Sequence, residues 1–138
     1  MARTRRFTVS LAVLVALAAT TAVASASGSV KGQSGPLSVT FVPSTHTPKI
    51  NAKWPLSVTA TVNGKPAQHA TAVYQFLFGG LIVSTQYPRF NKHFTFTGHF
   101  SDNLIFPPDS KGEPLTLRVV IKASGHTVNL NWSITAHS

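Results

Sequence analysis

The 138-residue sequence contains no cysteine and only three acidic residues. Without cysteine, neither a disulfide nor a thiolate zinc site can stabilise the fold, so packing alone must hold the chain together. Any catalytic carboxylate pair would have to come from Asp102, Asp109 and Glu113, and the last two lie in one proline-rich stretch. There is no Gly-x-Ser-x-Gly motif, glycine-rich phosphate loop or His-x-x-x-His pair. We therefore expect no catalytic, metal or cofactor site.

Charged residues are few, and most of them are basic. Charged residues make up 11% of the chain and apolar residues 43%, a balance typical of a folded domain rather than a disordered one. Three of the twelve basic residues lie near the N-terminus, and the other nine exceed the three acids by six charges. Such an excess attracts acidic polymers at a distance. The nine bases are scattered, with no basic run interleaved with aromatics, so the sequence carries no specific nucleic-acid signal.

The N-terminus has the three parts of a secretory signal peptide. Arg3, Arg5 and Arg6 form a positive region, residues 9–19 are apolar, and small residues follow at alternate positions. This predicts a signal peptide over residues 1–26, cleaved after Ala24 or Ala26. The alternative is an uncleaved membrane anchor, although the apolar part is shorter than the roughly 20 residues that span a bilayer.

The sequence indicates export more clearly than it indicates the export route or the final location. The arginine pair permits the twin-arginine route, but it matches that motif weakly, and general secretion is favoured. No further membrane span is predicted after cleavage. We expect a secreted protein, either released or retained at the cell wall.

After the export segment, residues 27–35 are small, polar and glycine-rich, which predicts a flexible leader. The domain is expected over residues 36–138. Apolar and polar residues alternate there with a period of two, as in half-buried strands, and no window shows a helical stripe.

Two hairpins follow from two-residue turns, because such turns set the register of the flanking strands. Around Ser124-Gly125, Ile121 is predicted opposite Val128 and Leu117 opposite Trp132. All large apolar partners then share one face. Around Gly79-Gly80, the predicted pairs are Phe78 with Leu81, Phe76 with Val83, Tyr74 with Thr85 and Ala72 with Tyr87.

Eight strands are predicted in all, near residues 37–42, 54–62, 71–78, 81–87, 93–97, 100–106, 115–123 and 126–135. Short antiparallel strands at this spacing predict two sheets packed face to face, with a small closed barrel as the alternative. Asp102 shares the inward parity of Phe100 and Leu104. A carboxylate is costly in a core, so we expect it at the rim, at a turn or at a bulge.

Two segments carry a family resemblance. Residues 62–66, Val-Asn-Gly-Lys-Pro, and residues 70–76, Ala-Thr-Ala-Val-Tyr-Gln-Phe, resemble the region between the second and third strands of bacterial immunoglobulin-like domains. The hairpin over residues 115–135 resembles the last two strands of that fold. The sequence departs from antibody domains in lacking a cysteine pair, a tryptophan in the third predicted strand and a tyrosine corner. The resemblance implies an all-β immunoglobulin-like antiparallel sandwich of about 7–8 strands.

In such families these domains serve as adhesive, spacing or carbohydrate-contacting modules of exported proteins, and the resemblance therefore implies a non-catalytic role outside the cell. The candidate contacts are the exposed-loop residues Arg89, Phe90 and Lys92, since loops on a rigid sandwich commonly carry binding. Candidate partners are a cell-envelope glycan, an acidic polymer or another exported protein. The alternatives are a small secreted enzyme or inhibitor acting through its loops, and electrostatic retention on the cell envelope.

Overall fold

A computed structural model describes residues 28–138, and ten β-strands make up most of this part of the chain. In chain order they are β1 (Val30–Ser34), β2 (Leu37–Pro43), β3 (Lys53–Val62), β4 (Lys65–Pro66), β5 (Ala70–Phe78), β6 (Leu81–Gln86), β7 (Thr95–Phe96), β8 (His99–Ile105), β9 (Pro114–Ala123) and β10 (His126–Thr135). Two single-turn 3-10 helices span Pro88–Phe90 and Pro108–Ser110. The predicted export segment lies outside the described residues.

The strands form two antiparallel sheets, which confirms the all-β class and is consistent with a sandwich. The first sheet has the order β10-β9-β5-β6, with β7 also paired to β5. The second has the order β1-β2-β3-β4, with β8 also paired to β3. The inward side chains of both sheets form one apolar core, and among the described residues no charged side chain is fully buried.

The C-terminal hairpin has the register that its sequence predicts. Ile121 lies opposite Val128 and Leu117 opposite Trp132. Ser124 and Gly125 both have positive φ, which matches the right-handed twist of the two strands. A one-residue slip of one strand would move its apolar side chains to the solvent face.

The second hairpin departs from its predicted register beyond the turn. Phe78 pairs with Leu81 as predicted, but a bulge follows, and Phe76 lies opposite Ser84 instead of Val83. Tyr74 accordingly lies opposite Gln86, and the predicted pair of Ala72 with Tyr87 does not form. The bulge adds one residue to β6, a shift that regular alternation does not anticipate.

The predicted flexible leader is wrong for residues 30–34, which form β1. Val30 pairs with Phe41, and Ser34 pairs with Leu37. A Cβ added at Gly32 would lie 2.7 Å from side-chain atoms of both Val128 and Leu130. Glycine therefore lets β1 pass close to β10 and cover one side of the core, a long-range contact that composition does not reveal.

The segment between β2 and β3 joins the two sheets. Trp54 of β3 donates its indole N–H to the Thr45 hydroxyl, and Trp132 of β10 donates to the Thr45 carbonyl. The His46 ring stacks on Trp132, with ring centroids 3.6 Å apart. The two tryptophans lie in different sheets, so this short segment fixes one sheet against the other at this end of the domain.

Candidate functional site

The connection from β6 to β7, residues 87–94, holds all three predicted contact residues, and we call it the β6–β7 loop. Its second residue, the buried Pro88, starts a 3-10 turn. Backbone hydrogen bonds of 3.0 Å from Phe90 to Tyr87, 3.1 Å from Asn91 to Pro88 and 2.9 Å from Phe94 to Asn91 close successive turns. These backbone hydrogen bonds define the conformation of the loop.

Phe90 is the most exposed large apolar side chain in the described part of the protein, with 89% of its surface accessible. Its backbone and that of Arg89 have φ of 57° and 55°, a conformation that costs free energy for residues other than glycine. The turn holds this conformation while the phenyl ring projects into solvent. Binding residues are often on loops held by a rigid scaffold, and strained backbone is concentrated at functional sites.

A groove of about 280 Å³ lies between the β6–β7 loop and the outer face of the first sheet. Its floor includes Thr71 and Val73 of β5, and its wall includes Tyr87, Lys92 and His93. Lys122 of β9 lies opposite Thr71 in register, which places a second cation beside the groove. Hydroxyl, ammonium, imidazole and aromatic groups therefore converge here.

The Arg89 side chain turns back toward the protein. Its guanidinium donates a hydrogen bond of 3.1 Å to the Ser101 carbonyl and lies 5.5 Å from the centre of the Phe94 ring. Its backbone N–H donates to the Asp102 carboxylate at 3.3 Å. Arg89 thus fastens the loop to β8 of the other sheet, and Phe90 and Lys92 remain as the outward contacts.

Asp102 faces inward at the rim, as its parity predicts, and is half-buried. It accepts a hydrogen bond of 2.8 Å from the hydroxyl of buried Tyr74 on β5. Burial, together with the hydrogen bond and charge of Asp102, raises the pKa of the Tyr74 hydroxyl far above its ordinary value. Sequence reasoning missed this pair, although a carboxylate at an inward position is itself a signal that a buried donor faces it.

The remaining predicted features are distributed along the domain. Asp109 and Glu113 lie in the loop before β9, away from Asp102 in β8. Over residues 28–138, no group of three or more side chains suited to metal binding comes together. In the same residues, the structure contains no helix with the length and apolar character needed to cross a bilayer.

No protein-family model matches the sequence, and none of the curated proteins compared with it is significantly similar. The all-β class and the two-sheet arrangement therefore rest on the structure itself.

Proposed function

We propose that the chain is an exported, immunoglobulin-like, non-catalytic module that binds an acidic glycan of a bacterial cell envelope through the β6–β7 loop and its groove. The strand order supports the immunoglobulin-like assignment. In that fold one sheet carries the third, sixth and seventh strands, and β5, β9 and β10 lie together in this way. The other sheet pairs β3 with both β2 and β8, which corresponds to the first, second and fifth strands.

The N-terminal sequence supports export. Three arginines, an apolar stretch and alternating small residues precede the described domain in the order of a signal peptide. Expression in a bacterial host should yield extracytoplasmic protein whose mass corresponds to cleavage after Ala24 or Ala26. Extracytoplasmic protein that retains Met1 would contradict this part of the proposal.

The observation that carries the binding proposal is the exposed Phe90 ring on the same loop as Tyr87, Lys92 and His93, which line a groove. An aromatic face can stack on a sugar ring, and ammonium groups pair with carboxylate or phosphate substituents. The outward side chains of β9 add Arg118 and Lys122 to the same sheet face, and the three acidic residues all lie in or after β8 and before β9. An anionic polymer lying along this face would meet cations without meeting carboxylates of the sheet.

A binding assay on the exported protein with purified anionic and neutral envelope glycans tests the proposal. Phe90→Ala should weaken binding about tenfold, the loss of one stacked aromatic contact. Lys92→Gln should weaken binding and reduce its dependence on salt. The matched controls are Val42→Ala, an exposed apolar residue on the other sheet, and Lys53→Gln, a cation at the start of β3.

Two outcomes would count against this binding mode. Unchanged affinity in Phe90→Ala would remove the loop from the interaction. Equal losses in Lys92→Gln and Lys53→Gln, with complete release by moderate salt, would reduce the interaction to retention by net charge.

A further inference from the structure

The outer edge of β6 is the most apolar free edge in the described part of the domain. β6 is the last strand of its sheet and contains no charged residue and no proline. Leu81 is 72% exposed and Val83 is 59% exposed. The exposed apolar side chains at this edge are Phe78, Leu81, Ile82, Val83 and, from the adjacent end of β8, Ile105. We call the free edge of β6, together with these side chains, the β6 edge.

Free strand edges usually carry a device that prevents pairing with other chains. β8, beside β6 in the other sheet, carries Asp102 pointing inward, and β1 at the far edge of that sheet carries Lys31 and a glycine. β6 has only its bulge, and the bulge presents the neighbouring residues Ile82 and Val83 to solvent together. An uncharged apolar edge of this kind is typical of a protein–protein interaction site.

An apolar cleft of about 140 Å³ opens beside the β6 edge, between the two sheets. Val83, Ile105 and Leu115 are among the residues that line it. The cleft continues past Phe78 toward Asp109 and Glu113. A partner at this edge therefore gains both free backbone groups and an apolar surface.

Charge is distributed unevenly along the β6 edge. Near its hairpin end lie Asp109 and Glu113, which line the same depression as Phe78 and Val83. At its other end the chain enters the β6–β7 loop with Arg89 and Lys92. Lys111 lies between the two acids in the sequence, and Asp102 accepts a hydrogen bond from the Arg89 N–H at the other end. With these two residues included, the first end keeps a net charge of −1 and the second a net charge of +1. Two such edges related by a two-fold axis run antiparallel and place each acidic end against the other's basic end.

We propose that the occupant of the β6 edge is a second copy of this chain, paired antiparallel about a two-fold axis near Ser84. Such a pair joins the two first sheets into one continuous sheet, covers the exposed apolar side chains and leaves no further β6 edge to propagate. It also brings two β6–β7 loops onto one assembly, where two weak contacts with one polymer act together. The dimer does not depend on the glycan proposed above.

Sedimentation of the exported protein over a micromolar concentration range, without ligand, tests the proposal. The wild type should sediment as a dimer that dissociates on dilution. Val83→Lys should weaken dimerisation by about tenfold or more, because like charges then meet near the axis. The control Val42→Lys adds the same charge at an exposed valine of the other sheet and should leave the dimer unchanged. A wild type that is monomeric at every concentration, or a dimer indifferent to Val83→Lys, would overturn the proposal in favour of a strand from another protein or a different interface.

A charge exchange tests the antiparallel direction. Glu113→Lys alone should weaken the dimer, and adding Lys92→Glu should restore it. These residues lie at opposite ends of one β6 edge, so rescue requires contact between copies. Absence of rescue would exclude the antiparallel arrangement.

Cross-linking locates the axis, because the chain contains no cysteine of its own. Residues directly opposite in antiparallel strands lie close enough for a disulfide. Ser84→Cys should form a covalent dimer on mild oxidation, whereas Thr127→Cys on β10 should not. Equal cross-linking of the two variants would indicate random collision and count against the interface. Glycan binding measured on the monomeric Val83→Lys variant separates a failure of this inference from a failure of the proposed function.

Discussion

Replacing Tyr74 by phenylalanine should weaken the fold by an amount that depends on pH. Tyr74 is fully buried on β5, and its hydroxyl donates a hydrogen bond of 2.8 Å to Asp102 on the opposite sheet. After the substitution Asp102 keeps two backbone donors, the N–H groups of Arg89 and Asn103. The substitution therefore removes one charge-assisted hydrogen bond and changes little of the packing.

The magnitude follows from the partial burial of Asp102. A hydrogen bond to a charged group contributes about 1.5–3 kcal/mol to stability. Because Asp102 is half-buried and retains its other donors, we expect the low end of that range, about 1.5 kcal/mol near pH 8. Asp102 lies at the rim, where solvent can reach the carboxylate after the phenol is removed.

The pH dependence comes from the Tyr74 hydroxyl itself. Burial and then the neighbouring Asp102 raise its pKa in the folded protein far above the ordinary 10.0. Above about pH 10 the hydroxyl ionises in the unfolded chain but stays protonated in the folded one, so the unfolded state alone is stabilised. The stability that the protonated hydroxyl contributes is fully present below about pH 10 and is lost as the pH rises, so that the free energy of unfolding of the wild type is about 1.4 kcal/mol lower at pH 11. The difference between wild type and Tyr74→Phe should therefore shrink from about 1.5 kcal/mol near pH 8 to nearly zero near pH 11.

Urea unfolding at constant ionic strength, followed by the fluorescence of the two tryptophans, measures this difference. Lysine ionisation affects both proteins equally and cancels. The control Tyr87→Phe keeps Tyr74 and should keep the full alkaline loss of stability. A difference between wild type and Tyr74→Phe that stays constant from pH 8 to 11 would show that Tyr74 ionises as readily in the folded state as in the unfolded one, and the reasoning would fail.

Three further substitutions test the packing by urea unfolding. Gly32→Ala should destabilise the fold by about 1–3 kcal/mol, because its Cβ would meet Val128 and Leu130 at 2.7 Å. The exposed control Lys31→Ala on the same strand should change stability by less than about 0.5 kcal/mol. An equal effect of the two substitutions would contradict the close approach of β1 to β10. His46→Ala should cost about 1 kcal/mol through the lost stacking on Trp132, and a neutral result would mean that this stacking does not contribute to stability. Leu117→Ala should cost about 2–5 kcal/mol, since this side chain is fully buried in the C-terminal hairpin, and a cost below about 1 kcal/mol would place it outside the core.

The strands that could be predicted are those whose signals are local. Two-residue periodicity defines β9 and β10 over almost their full lengths, and the turn at Ser124-Gly125 sets their register without help from other strands. The same reasoning reaches the first pair of the β5–β6 hairpin and then fails, because the bulge at Val83 is an added residue that alternation cannot detect. Inward parity and the cost of a buried carboxylate predicted Asp102 at the rim, at a turn or at a bulge, and in the structure it is half-buried at the rim.

The candidate site was predictable only in part, for a related reason. Phe90 and Lys92 could be assigned to an exposed loop because Pro88 and polar residues surround them in the sequence. The sequence did not indicate that Arg89 turns back to Ser101, or that Thr71 forms part of the groove floor. These contacts join segments that are distant along the chain.

Local sequence signals suffice for the all-β class, most strand boundaries and the register of one hairpin, since each depends on side-chain alternation and turn residues within a few positions of one another. Three features became visible only in the folded domain: residues 30–34 form a strand, Tyr74 faces Asp102, and β6 is a free apolar edge. A short glycine-containing segment becomes a strand when a neighbouring strand supplies its hydrogen bonds. Likewise, the partner of a buried hydroxyl and the freedom of a strand edge are set by how the two sheets assemble, which local alternation does not specify.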